Sequence, residues 1–208
     1  MPHLVLLGDS IFDNGVYTSG GPDVVTQLRR VLPAGWQASL LAVDGHVTRD
    51  VARQLAKMPA GATHLALSVG GNDALSCLSV LDAPTTDVRQ AMATLADVAL
   101  QFEAQYVAAV EACVRHKMPL VLCTIYNGCF ADAAFQRIAT TVVALFDDVI
   151  LRTAAARALP VVDLRAVCAQ PADYANPIEP SSAGGEKIAR ALAAVVTGRA
   201  AGTAADPC

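Results

Sequence analysis

Residues 3–10 read His3-Leu4-Val5-Leu6-Leu7-Gly8-Asp9-Ser10. A run that is apolar throughout, rather than alternating, and stops at Gly-Asp reads as a buried strand leading into a tight turn. Four further runs, 38–43, 64–69, 120–125 and 160–163, share the pattern and are bounded by Gly, Pro, Asn or Asp. Between them lie stretches of helical period at 23–32, 49–57, 87–116, 132–158 and 181–196, several opening on an acidic or hydroxyl residue that can cap free backbone N–H groups. This alternation predicts an α/β fold, a flavodoxin-like three-layer α/β/α sandwich with a parallel sheet of about five strands. The stretches 87–116 and 132–158 are long for globular helices, so a break in each is expected. The chain length of 208 residues suits one domain over 1–197, with 198–208, rich in Ala and Gly, expected to be a disordered tail.

Hydrophobic residues make up 54% and charged residues 16% of the chain, a composition that supports a large core. A net charge of -4 and the absence of a Lys/Arg cluster leave no footprint for nucleic acid, so a small neutral or weakly charged ligand is expected. The opening residues carry no basic segment, and their apolar run is too short for a secretion signal. No uncharged apolar stretch approaches the roughly 18 residues of a membrane span. A cytoplasmic location is expected. Cys77, Cys113, Cys123, Cys129, Cys168 and Cys208 show neither CxxC spacing nor a histidine at metal-ligand distance, and read as reduced residues rather than a disulfide or zinc site. Nothing calls for a metal or cofactor.

Open α/β sheets bind ligands outside the carboxyl ends of their strands. Those ends carry Gly8-Asp9-Ser10, Asp44-Gly45-His46, Gly70-Gly71-Asn72-Asp73 and Tyr126-Asn127-Gly128. Taken alone, Ser10 is either an exposed nucleophile or the cap of a following helix. Attack on an acyl carbon creates an oxyanion that needs preorganised donors nearby. The N–H of Ser10, the unobstructed N–H of Gly45 and the side-chain amide of Asn72 could supply them.

The chain resembles the SGNH or GDSL hydrolases, a family of esterases, lipases, thioesterases and deacetylases on a flavodoxin-like fold. Ser10 in LLGDSIFDN matches the first family block, Gly45 in AVDGHVT the second and Asn72 in SVGGNDAL the third. The resemblance implies a small-molecule ester or thioester substrate, with Ser10 as nucleophile and Ser10, Gly45 and Asn72 as the oxyanion hole. The family's fourth block, Asp-x-x-His-Pro before the last helix, is altered. Here it reads Asn176-Pro177-Ile178-Glu179-Pro180, followed by SSAGGEKIARAL. Glu179 therefore stands where the family places its basic histidine, and Asn176 where it places aspartate.

A free Glu is about two pKa units less basic than His, a deficit that burial can recover. Asn176 suits a carboxylate partner because a second negative charge would repel it. A Ser10–Glu179 dyad is one reading. His46, beside Gly45, is an alternative base, and a catalytically weakened ligand-binding protein is a third possibility. Asp9 is expected to hydrogen-bond backbone within the turn. His3 and His64 begin strands at the wrong end, and His116 closes a helix. Asp9 and Asp13 are four apart, whereas two-aspartate phosphoryl transfer wants them two apart, and no G-x-x-x-x-G-K-[ST] loop exists. Residues 17–22 form a candidate rim to the site.

Overall fold

A computed structural model describes residues 1–198; the expected tail, apart from Gly198, lies outside the described residues. The elements in chain order are β1 (His3–Gly8), α1 (Val24–Val31), β2 (Gln37–Leu40), α2 (Val51–Leu55), β3 (His64–Ser68), α3 (Gly71–Ser76), α4 (Val88–Val114) and β4 (Leu120–Cys123). They continue with α5 (Ala133–Ala156), β5 (Val161–Val162), α6 (Leu164–Val167), β6 (Tyr174–Asn176), β7 (Glu179–Pro180) and α7 (Ser182–Val196).

Five parallel strands form one sheet in the order β2-β1-β3-β4-β5. The chain winds to one side of β1 and then to the other, so the sheet's topological switch lies between β1 and β3, beside the Ser10 turn. Side chains of β1 alternate between two cores, each on its own face. Leu4 and Leu6 pack with α1 and α7 through Leu28, Ile188 and Leu192. Val5 and Leu7 pack with α4 and α5 through Phe102, Tyr106 and Phe146. Burial on both faces explains why the strand is apolar throughout.

The expected breaks in the two long helices do not occur. The 27 residues of α4 and the 24 of α5 run without interruption. Neither contains Gly or Pro, the usual causes of a kink, so nothing in the backbone interrupts them. Asp87 caps the first by accepting from Gln90 N at 2.9 Å, and Asp132 caps the second by accepting from Ala134 N at 2.8 Å. The buried residues of α4, from Phe102 to Cys113, all lie in its C-terminal half. Its N-terminal half carries exposed Val88, Met92 and Leu100.

Of the described cysteines, Cys113, Cys123 and Cys168 are buried and Cys77 and Cys129 partly so, all five free. Cys208 lies outside the described residues. No helix among the described residues is long and apolar enough to cross a membrane.

Candidate active site

Ser10 leaves β1 through Gly8, whose φ of 130° is open to glycine but not to a side chain. A Cβ there would fall on the Ser68 carbonyl oxygen of the adjacent strand, so β1 and β3 approach this closely only because residue 8 is glycine. Gln54 of α2 brackets the same residue. Its Oε1 accepts from Gly8 N at 2.8 Å, and its Nε2 donates to Gly8 O at 2.7 Å. The Ser10 turn is thereby fixed by a buried side-chain amide that sequence patterning shows only as a polar residue in a helix.

Asp9 is buried. Its Oδ1 accepts from Ile11 N at 3.1 Å, bracing the turn, while Oδ2 has no hydrogen-bond partner. Burial pushes its pKa up to about 8, opposed by the Ile11 bond and assisted by the charges of Glu179, Asp73 and Asp44. The shift favours the protonated form of Asp9.

The β3 exit is held by two adjacent residues. Asn72 Nδ2 donates to His46 O at 2.9 Å. Asp73, buried, accepts from Thr48 N at 3.0 Å and from Thr48 Oγ1 at 2.7 Å. These bonds tie the start of α3 to the loop after β2, which carries Gly45 in a left-handed conformation with φ of 79°. The N–H groups of Ser10 and Gly45 meet no protein acceptor among the described residues.

His46 points elsewhere. Its Nδ1 lies 2.8 Å from Gln54 Nε2, whose amide oxygen is engaged with Gly8 N. The amide nitrogen can only donate, so Nδ1 accepts and the ring proton sits on Nε2. His46 does not line the cavity that opens on Ser10. His3 and His64 begin β1 and β3, at the opposite end of the sheet.

Glu179 does line that cavity, together with Asp9, Ser10 and Asn72. It is 6% exposed and stands on β7, which pairs antiparallel with β6. Its backbone is held from three directions. Asn176 Oδ1 accepts from Glu179 N at 3.0 Å, Tyr126 donates its hydroxyl to Ile178 O at 2.6 Å, and Asn14 Nδ2 donates to Pro180 O at 3.1 Å. Asn176 thus orients the chain under Glu179 rather than its carboxyl group. Burial pushes the Glu179 pKa up to about 7, with the Ser10 hydroxyl opposing the shift and Asp44 adding to it. The Ser10 hydroxyl stands beside the carboxyl and opposes this shift, no hydrogen bond joining the two side chains in the resting site, and Oε2 has no partner. Loose contacts of this kind are common before substrate arrives.

The 17–22 segment meets the β2 exit through Tyr17, whose hydroxyl donates to Asp44 Oδ2 at 2.8 Å. Asp13 and Asp44 are also joined, Asp44 N donating to Asp13 Oδ2 at 3.0 Å. On the other side of Ser10 the cavity, of about 100 Å³, is walled by apolar side chains of α3 and α5, among them Leu75, Phe135 and Val143.

Comparison with known proteins finds the same fold in solved structures. The extracellular lipase of Streptomyces rimosus superposes with a TM-score of 0.70 at 17% identity, covering 96% of this chain and all (100%) of that one. An acetyl xylan esterase gives 0.69 at 17% identity over 93% and 99% of the two chains. An α/β hydrolase from the metagenome of Lake Arreo, Spain, gives 0.68 at 20% identity over 96% of each. At these identities the likeness is one of fold. No curated protein matches the chain. The sequence model of the GDSL-like lipase/acylhydrolase family matches residues 6–187, so the chain belongs to that family of ester-hydrolysing enzymes.

Proposed function

We propose that the chain hydrolyses an ester or thioester through an acyl-enzyme on Ser10, with Glu179 as general base. The observation that carries this reading is a buried carboxyl group facing the Ser10 hydroxyl, with an oxygen free of partners and a pKa of about 7. A base is most effective when its pKa lies near the working pH. Burial gives a glutamate here the basicity that the family obtains from histidine.

In the proposed sequence, Ser10 Oγ attacks the acyl carbon as its proton passes to Glu179. The oxyanion is met by the N–H groups of Ser10 and Gly45 and the amide of Asn72. Protonated Glu179 then gives its proton to the departing alkoxide or thiolate. Water repeats the cycle on the acyl-enzyme, releasing the acid and restoring Ser10. The apolar cavity takes the acyl group. Against His46 as base stands its bond to Gln54 and its place outside the cavity. Free cysteines at all five described positions fit a reducing compartment, so we retain the cytoplasm as the proposed location.

Three variants test the assignment on nitrophenyl esters. Ser10→Ala is expected to abolish turnover, and Glu179→Gln to lower kcat by at least about 10²-fold, with His46→Ala nearly neutral. Loss of activity in His46→Ala with Glu179→Gln unaffected would overturn the dyad. Equal rates for wild type and Ser10→Ala would overturn the nucleophile.

A further inference from the structure

The cavity at Ser10 does not end at its own far wall. A second apolar space of about 10 Å³ lies beyond it and shares Ala74, Leu78, Leu81 and Val142 with the first. Leu95 and Val98, from the N-terminal half of α4, close its far side. The titratable side chains Asp9 and Glu179 stand at the Ser10 end, and no Lys or Arg lines either space. The second space has no hydrogen-bonding side chain beyond the Cys77 thiol, so water there would lack the partners it needs.

The surrounding leucines carry the mark of an unfilled site. Core leucines such as Leu4 and Leu67 are 0% exposed, whereas Leu78 is 39% exposed. Leu75, Leu81, Leu95, Val98 and Val142 are also only partly buried. They belong to α3, the segment after it, α4 and α5, and they face a common gap. A hydrocarbon tail entering from Ser10 would cover them.

Resting on the Ser10 reading above, we infer that the acyl group is an unbranched medium-length fatty chain. Its tail runs between Leu78, Leu81 and Val142 and stops against Leu95 and Val98. The N-terminal half of α4, which has no fully buried side chain and sends only Val98 against the main core, then has a role as the wall that limits chain length. A two-carbon acyl group would leave most of this apolar surface uncovered and gain none of its burial.

The test is the chain-length profile of kcat/KM on nitrophenyl esters from acetate to laurate. Each methylene placed in the cavity is expected to raise kcat/KM about fourfold, until the tail meets α4 and the rate falls. Val142→Phe, which narrows the passage, should lower the octanoate-to-acetate ratio at least about tenfold. Val98→Ala, which recedes the wall, should move the optimum longer by about one or two carbons. A wild-type profile that peaks at acetate, or one that Val142→Phe leaves unchanged, would overturn the inference.

Binding of nitrophenyl decanoate to Ser10→Ala, followed by calorimetry, separates this from the chemistry. If wild type turns over no ester but the decanoate binds and Val142→Phe weakens it, the mechanism fails and the tail site stands. If short esters are hydrolysed and the decanoate does not bind, the tail site fails and the mechanism stands.

Discussion

Asn14 donates its side-chain amide to the Pro180 carbonyl at 3.1 Å while its Oδ1 accepts from Val24 N at 2.9 Å. One fully buried side chain thus joins the segment after Ser10, the start of α1 and the strand that bears Glu179. Asn14→Ala leaves Val24 N and Pro180 O buried without partners. A loss of about 1–3 kcal/mol in urea unfolding is expected. Because Glu179 would lose one of its ties, kcat is expected to fall while KM changes little. If stability falls and kcat holds, the contact serves the fold alone.

Glu179 gives two opposite responses to pH. Activity should rise as the carboxyl ionises, with a limb near its pKa of about 7. Carboxyl ionisation has an enthalpy near zero, whereas imidazole ionisation does not, so a limb that stays in place on warming identifies a carboxylate. Stability runs the other way. The native pKa of about 7 lies above the ordinary 4.5, so between these values the native state holds a proton that the unfolded chain has released. Stability therefore falls as pH rises through that window. Glu179→Gln removes the penalty and should raise the free energy of unfolding at pH 8 but not at pH 4, by about 1–2 kcal/mol after allowing for partial solvent contact. Asp9, with its pKa of about 8, shifts stability in the same direction over a window reaching higher pH. The Asp9→Asn variant separates the two.

The sheet could be read from sequence because burial on both faces writes itself as unbroken apolar runs, and β1 is the clearest case. That Ser10, Asn72 and Glu179 come together at one cavity was legible for a different reason: each lies within a few residues of β1, β3 or α7, whose patterns are strong. Gln54 was not. Its role depends on Gly8 lying across the sheet edge, and nothing in an amphipathic helix distinguishes a glutamine that faces solvent from one that clamps a distant peptide group. Asn14 was visible near the strand exit, but its bond to a residue 166 positions away was not. Asn176 shows the limit from the other side. Its place in the family block suggested contact with the Glu179 carboxyl, and its geometry gives an Asx turn under the backbone instead.

Asn72 offers a direct test of the proposed oxyanion site. Removing one preorganised donor typically costs about 10²–10³ in kcat. Asn72→Ala should lose this much with KM little altered, since the interaction forms only as charge develops on the carbonyl oxygen. The same amide also holds His46 O at 2.9 Å, so the variant needs a stability measurement beside the kinetics. A loss of kcat no greater than threefold, in a folded protein, would remove Asn72 from the oxyanion hole.

Gly8 and Gly45 both adopt positive φ, yet their replacement should have very different consequences. At Gly8 a Cβ would strike the Ser68 carbonyl, and neither β1 nor β3 can move without breaking the centre of the sheet. Gly8→Ala is expected to destabilise by more than about 4 kcal/mol and to yield little folded protein. At Gly45 a Cβ would meet nothing within 4 Å, so Gly45→Ala incurs only the strain of its φ of 79°. That strain is about 1–2 kcal/mol. Alanine retains the N–H, so a donor at this position keeps working and kcat should stay within about tenfold of wild type. Expression yield and thermal unfolding of the two variants, followed by kinetics on the folded one, decide the matter. Equal stability of Gly8→Ala and Gly45→Ala would contradict the close approach of β1 and β3, and with it the geometry that presents Ser10.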